Sequence, residues 1–410
     1  RLIQSEIYVD KTGMINYSIS VLDTAQNYVC VCRPRRFGKS MAANMLTAYY
    51  SRGCDSKKLF HSFEIAKDKD FEKYLNQYNT IFLNMQEFLS RSYNVEKLIE
   101  RVKKLVIRDL KMEYPEVDYF DDTDLIESMQ DVYAQTQCPF VVIIDEWDCI
   151  FREYKKDKEA QEKYLDFLRD LLKDKACIYL SYMTGILPIK KLKTQSALNN
   201  FEEFTMLDAG RMAPYVGFTE EEVHGLCEQY GCSYEQVKSW YDGYLLENYQ
   251  VYNPKAVVSV MLNGKYKSYW SNTGSYEAIV PLINMDFDGL KSAIIEMLSG
   301  ASVEVDVTSF QNDTVSFANR DDVLTYLIHL GYLAYDQDSR HVFIPNEEIR
   351  HELNHAVKRT RWNEMVTFQK ESLALLDATL EKDGMEVAKG IEKIHTGYSS
   401  TIMYHDENSL

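Results

Sequence analysis

What this chain lacks narrows it first. None of its apolar runs approaches the roughly 20 residues that a membrane helix needs. The densest, 140–144 and 28–32, have the length of buried strands, so a soluble protein with no membrane partner is expected. Cysteines number only eight in 410 residues, and no pair is spaced C-x-x-C, which argues against a zinc ribbon. Cys30 and Cys32, two apart in a strand pattern, point the same way and read as buried thiols in a reducing cytoplasm. Basic residues are outnumbered, 46 against 63 acidic ones, and the net charge of −17 excludes a protein whose whole surface grips a polyanion. Only a local basic patch is left open. No charged-then-apolar leader follows Arg1, so no secretory signal is expected, and the missing Met suggests that upstream residues were removed. Internal repeats and low-complexity tracts are absent.

What is present describes a compact chain. Hydrophobic residues at 45% and charged residues at 27% match globular usage, and at roughly 150 residues per domain the length predicts two or three domains. The first half alternates β-rich runs at 28–32, 80–84, 140–144, 177–183 and 204–207 with helical patterns such as 95–111 and 158–173, the signature of a parallel sheet covered by helices. After Gly210 the pattern changes to short helices broken by Gly and Pro, with no convincing strand series, which reads as a helical lid or spacer. Helical patterns at 290–298 and 320–330, then strand patterns at 332–335 and 341–344 around the turn 336–339, predict a winged helix. The expected units are 1–210, 211–288, 289–350 and a polar helical tail, 351–410.

The most informative segment is the strand 28–32 running into Arg33-Pro34-Arg35-Arg36-Phe37-Gly38-Lys39-Ser40 and a helix beginning near Met41. A strand that enters Gly-Lys-Ser and then a helix aims backbone N–H groups and a positive helix end at one point, where phosphate oxygens fit. Lys39 is then expected to reach the β- and γ-phosphates of a nucleotide and the Ser40 hydroxyl to coordinate Mg²⁺. The usual pattern has Gly at the position of Arg33, while Arg35 and Arg36 add positive charge near the phosphates. A basic surface turn before a helix fits the same letters. The strand 140–144 ends in Asp145-Glu146, two carboxylates at the sheet edge where open α/β folds bind ligands. Asp145 is expected to hold Mg²⁺ through its water shell, and Glu146 to polarise the attacking water. Thr184, ending the strand 177–183, is placed to bond the γ-phosphate or that water if its strand lies between the other two; a strand-capping Thr is the alternative.

These residues, with Tyr8-Val-Asp-Lys-Thr-Gly13, Leu198-Asn-Asn200, Gly217-Phe-Thr219, Trp240-Tyr-Asp-Gly-Tyr244 and Val251-Tyr-Asn-Pro254, resemble the bacterial AAA-ATPase-like family from Tyr8 to at least Trp270. Members commonly carry a C-terminal PD-(D/E)XK nuclease-like domain, and Arg at the first loop position is the family's own form. The resemblance implies a P-loop three-layer α/β/α fold with sheet order 5-1-4-3-2. Lys39, Ser40, Asp145, Glu146 and Thr184 match the family's phosphate lysine, magnesium hydroxyl, Walker B acids and sensor. Arg211 is implied as an arginine that reads nucleotide state, unless it is a surface ion-pair residue. The chain stops at Leu410, where the nuclease-like domain would begin, and no strand-borne Asp followed by E-x-K precedes that end, so nuclease activity is not assigned. The expected activity is Mg²⁺-dependent ATP hydrolysis, by a homo-oligomer if a neighbour supplies an arginine. The alternative is a nucleotide-gated module that binds DNA through the winged helix or an absent nuclease-like domain.

Three patterns point elsewhere. His351-Glu-Leu-Asn-His355 matches the zinc-protease pattern H-E-x-x-H, yet its approach is polar and a third ligand would have to be Glu364 or Glu371, so a solvated helix is expected. The basic clusters 190–193 and 358–361 read as solvated faces, the alternative for 358–361, beside the expected winged helix, being contact with phosphate backbones. Thirty tyrosines and eighteen phenylalanines are scattered through apolar patterns and signal core rather than base stacking.

Overall fold

The computed structural model describes residues 4–189, 198–270, 275–285, 287–310, 317–359 and 374–398. Five parallel strands, β1 (Tyr28–Cys32), β2 (Asn79–Asn84), β3 (Phe140–Asp145), β4 (Ile178–Gly185) and β5 (Glu202–Phe204), pair in the order β2-β3-β4-β1-β5. Read from the other edge, this is the expected 5-1-4-3-2 order. The longer helices of this half are α1 (Gly13–Val21), α2 (Lys39–Tyr50), α3 (Val95–Glu113), α4 (Leu125–Thr136) and α5 (Lys158–Leu172).

Alternation along the strands sorts side chains to two faces. Val29, Val31, Val141 and Ile143 pack with Met14 and Ile15 of α1 and Ala43, Leu46 and Tyr50 of α2. Cys30, Cys32, Val142 and Ile144 pack on the opposite face with α3, α4 and α5, which makes three layers, α/β/α. Helix α3 shows how the sequence specifies the outer layer. Val95, Leu98, Val102, Val106 and Leu110 recur at steps of three or four and are buried, while the Asn94 side chain caps the first turn by accepting from the Lys97 N–H.

The fifth strand lies two residues earlier than the pattern at 204–207 predicts. Thr205 starts a turn, its hydroxyl accepting from the N–H groups of Leu207 and Asp208 at 3.1 and 3.2 Å, which uses up the apolar stretch that reads as strand.

Beyond residue 210 the structure corrects the purely helical expectation. A small antiparallel sheet, order β6-β8-β7, joins β6 (Phe218–Thr219), β7 (Tyr244–Leu246) and β8 (Tyr249–Tyr252) among helices α6 (Glu220–Tyr230), α7 (Tyr234–Tyr241) and α8 (Pro254–Asn263). A Thr219–Glu222 capping box opens α6, and Lys11 ties the N-terminal segment to it through Glu222 and the Pro214 carbonyl. Next come α9 (Leu290–Leu298), β9 (Val303–Glu304), α10 (Arg320–Leu330) and the hairpin β10 (Ala334–Asp336) and β11 (His341–Phe343), with β9 pairing on β11 as a third strand that the sequence pattern does not reveal. Helices α11 (Glu347–Arg359) and α12 (Gly384–Tyr398) follow.

One continuous apolar cluster runs from Met14 and β1 through Phe37, Tyr244 and Trp270 into α9, α10, β11 and Val357. The sheet face bearing α2 and the distal elements therefore share a core. Among the described residues, no helix is long and apolar enough to cross a membrane.

Candidate functional site

The fully buried strand β1 delivers the chain into the loop 33–38, where Arg36 at φ 71° and Gly38 at φ 93° both have left-handed backbone. Gly38 caps α2, its carbonyl accepting from the N–H groups of Met41 and Ala42. A Cβ at Gly38 would meet only the Met41 sulfur at 3.8 Å, so backbone torsion, not crowding, requires glycine here. Lys39 opens the helix, and its buried ammonium arches back to the Pro34 carbonyl at 2.9 Å. Burial lowers the pKa of that ammonium, while Glu146, Asp148 and Asp145 facing it pull it up.

The register sets one row across the sheet edge: Asn84 beside Asp145, Asp145 beside Thr184, Thr184 beside Val31. The fully buried Asp145 carboxylate accepts from the Asn84 amide at 3.2 Å and the Glu146 N–H at 3.1 Å. Burial raises its pKa most, the neighbouring Ser40 hydroxyl and the Lys39 charge lower it, and the Glu146 charge raises it. The structure thus brings Lys39, Ser40, Asp145, Glu146 and Thr184 to one edge. The Thr184 hydroxyl is buried there with no partner among the described residues.

Three further residues complete the cluster. Asn84 ends β2 beside Asp145. Asp148, wholly buried, accepts from the N–H groups of Ile186 and Leu187 at 3.1 and 3.0 Å, just past Thr184. Arg152 pairs with Glu146 and stands 3.4 Å from Asp148. The only signal in the sequence is the four-residue step from Asp148 to Arg152, which puts both on one face of a helical turn. Glu146 itself has left-handed backbone, φ 56°.

Other residues of the expected set lie differently. Arg33 is fully buried, and its guanidinium turns into the sheet to donate to the carbonyls of Cys32, Phe204 and Thr205, stitching β1 to the end of β5 rather than facing the acids. Burial pushes its pKa down to about 10. Arg36 donates to the Tyr269 carbonyl at 3.0 Å, Phe37 packs edge-on against Tyr244, and a Cβ on Gly331 would lie 2.7 Å from the Pro34 ring. The loop is thereby locked to the distal elements. Arg35 and Met41 are exposed. Arg211 is exposed near Tyr17, beside the edge strand β5, and is not among the charges facing Lys39; the arginine that does face the acids is Arg152.

The H-E-x-x-H helix is α11. Glu352 is buried and accepts from the Ser268 hydroxyl, whereas His351 and His355 are exposed, His351 against the Trp240 ring. Among the described residues no cluster of His, Cys, Asp or Glu is arranged to hold a metal by itself. Glu364, Glu371, the cluster 190–193 and the second half of 358–361 lie outside the described residues. A cleft of about 470 Å³ lined by Asp10, Asn16, Phe63, Glu64 and Asp68 includes none of the loop or the acids.

Residues 2–194 match the model of the AAA-ATPase-like family, described as a predicted AAA-ATPase. The chain is 21% identical over 409 residues, 96% of its own length and 74% of the relative's, to the uncharacterized protein in the vnfD 5′ region of Azotobacter chroococcum mcd 1. Solved structures similar to it include the Aeropyrum pernix ORC2 protein as ADPNP-ADP complexes, with TM-score 0.37 and 10% identity over 88% of this chain and 98% of that one. Another is the Aeropyrum pernix ORC1 protein in complex with DNA, at 0.33 and 9% over 87% and 94%. Cdc6p from Pyrobaculum aerophilum stands at 0.31 and 9% over 87% and 97%.

Proposed function

We propose, for a chain whose residues 2–194 match the AAA-ATPase-like family, that the loop 33–40 and the acids ending β3 bind ATP with Mg²⁺ and hydrolyse it. The observation that carries this reading is the convergence of a buried ammonium, a hydroxyl beside a buried carboxylate, a second carboxylate and, among the described residues, an unpartnered hydroxyl at one sheet edge. An ammonium parked on a backbone carbonyl of its own loop and a hydroxyl without a partner among the described residues are what a phosphate would engage. Lys39 takes the β- and γ-phosphates, Thr184 bonds the γ-phosphate or the attacking water, and Glu146 polarises that water. Mg²⁺, which keeps most of its waters and needs few protein ligands, would be held by Ser40 and Asp145 and would neutralise phosphate charge. Positioning and charge stabilisation are the protein's main contributions to such a transfer.

The loop's contacts with Tyr269, Tyr244 and Gly331 give its movements a route to the distal elements, which we read as a helical lid and a winged-helix-like unit. Helix α10, which a winged-helix reading would offer to DNA, has eight consecutive buried residues, Asp322 to His329. That burial favours an ATPase with an internal lever over a free nucleic-acid module.

Calorimetry and phosphate release test the reading. Lys39→Ala is expected to abolish ATP binding, and Glu146→Gln to bind ATP but turn over at least ~10-fold more slowly. Equal turnover in the Glu146 variant removes that residue from the mechanism. A nucleotide-gated nucleic-acid module would instead show negligible hydrolysis and DNA binding that weakens steeply with salt.

A further inference from the structure

We propose that ATP binding draws a proton onto Glu348, so that the distal half of the chain registers occupation of the phosphate loop as a change of protonation. This rests on ATP binding at the loop 33–40, as proposed above. Glu348, on α11, is 2% exposed, and its Oε1 accepts from the N–H groups of both Tyr269 and Trp270, at 2.6 and 3.0 Å. Its Oε2 has no hydrogen-bond partner among the described residues and is where a proton can sit. The carbonyl of the same Tyr269 accepts from the Arg36 guanidinium at 3.0 Å. One residue thus has its N–H on a buried carboxylate and its carbonyl on a cation of the phosphate loop.

The groups around the carboxylate decide what it responds to. Glu352, one turn on along α11, repels its charge, and Arg36 of the phosphate loop attracts it. The phenols of Tyr241, Tyr244 and Tyr269 face it from α7, β7 and the segment 268–270; burial raises the pKa of all three, so they stay neutral near pH 7. His351 of the same helix is exposed, against the Trp240 ring. Burial has brought the Glu348 pKa up to about 7, where a modest loss of attraction adds a proton. A triphosphate seated in the loop sets several negative charges beside Arg36, and these cancel the pull of Arg36 on Glu348. A proton from solvent then bonds to Oε2 and returns to solvent when the nucleotide leaves. While it is bound, the two N–H bonds lose their charge assistance and α11 holds the segment 268–270 less firmly. A group whose pKa is higher in the complex makes affinity fall as pH rises through its pKa values.

The test is calorimetric titration of the full chain with ATP at saturating Mg²⁺, repeated across pH and in buffers of different ionisation enthalpy, which yields both Kd and the protons taken up. Wild type is expected to lose ~2- to 4-fold in affinity from about pH 6.5 to about pH 8 relative to Glu348→Gln, and to take up more protons than that variant on binding. Glu348→Gln can accept the same two N–H bonds but cannot ionise, and the nucleotide's own titration is common to both chains, so the difference belongs to residue 348. Arg36→Gln leaves the phosphates no cation to cancel, and its profile is expected to follow that of Glu348→Gln. Should Glu348→Gln not fold, Arg36→Gln carries the test alone. Parallel profiles in wild type and Glu348→Gln overturn the proposal, as does a wild-type profile that survives in Arg36→Gln. Absence of ATP binding by wild type at every pH would sink the proposed function itself, whereas binding with one profile in all three chains sinks only the proton link.

Discussion

At Gly185 the fold leaves no space for a methyl group, because Trp147 and Asp148 occupy the position where a Cβ would stand. Gly185→Ala is accordingly expected to lower stability by about 1–3 kcal/mol, read as a lower denaturant midpoint with an unchanged slope. A midpoint equal to wild type's would mean that this packing yields easily. The same neighbourhood explains which site residues the sequence discloses. Lys39, Ser40, Asp145 and Glu146 sit in contiguous motifs next to strong strand patterns, so their spacing alone places them. Asn84, Asp148 and Arg152 reach the cluster through strand register and one helical turn, and isolated letters carry no such information. Arg33 misleads for the opposite reason. It occupies a loop position, yet open carbonyls at Phe204 and Thr205 draw its guanidinium inward.

Among elements, those with long periodic patterns are legible: strands β1 to β4, α3 and α5 follow from apolar runs of strand length and from steps of three and four. Phe218–Thr219 and Val303–Glu304 are not, because partners more than thirty residues along the chain define these two-residue strands rather than local pattern, whereas the hairpin β10–β11 is announced by its turn. Helix α11 shows how docking can override a motif. Its Glu348 and Glu352 point inward and grip the segment 268–270, Glu348 accepting from the N–H groups of Tyr269 and Trp270 at 2.6 and 3.0 Å. Burial pushes the Glu348 pKa up to about 7 from the ordinary 4.5, more than those two bonds pull it down. The folded chain thus holds a proton that the unfolded chain has lost between about pH 4.5 and 7, so this group makes stability fall as pH rises through that window. Glu348→Gln cannot ionise, and its stability advantage over wild type is expected to grow by up to about 3 kcal/mol from pH 4.5 to pH 8. Urea titrations at both pH values check this, and parallel profiles would contradict it.

For the whole molecule, the shared core decides how it comes apart. The cluster runs on from α1, α2 and β1 to α9, α10 and α11, so the loop after β1 is covered by the distal elements and not by the first half alone. A fragment ending at residue 210 would strip Tyr244 from Phe37, so it is expected to aggregate, and the full chain to melt in one cooperative transition. Size-exclusion chromatography of the fragment and calorimetric scans of the full chain are the checks. A monodisperse, folded fragment would show that the first half stands alone. The contact between Pro34 and Gly331 reaches further than stability. Two positions nearly three hundred residues apart must fit each other within an atom's width. A chimera that grafts the distal half of a relative onto this first half inherits a collision or a gap unless both positions are exchanged together, so viable crossovers are confined to those that keep the pair.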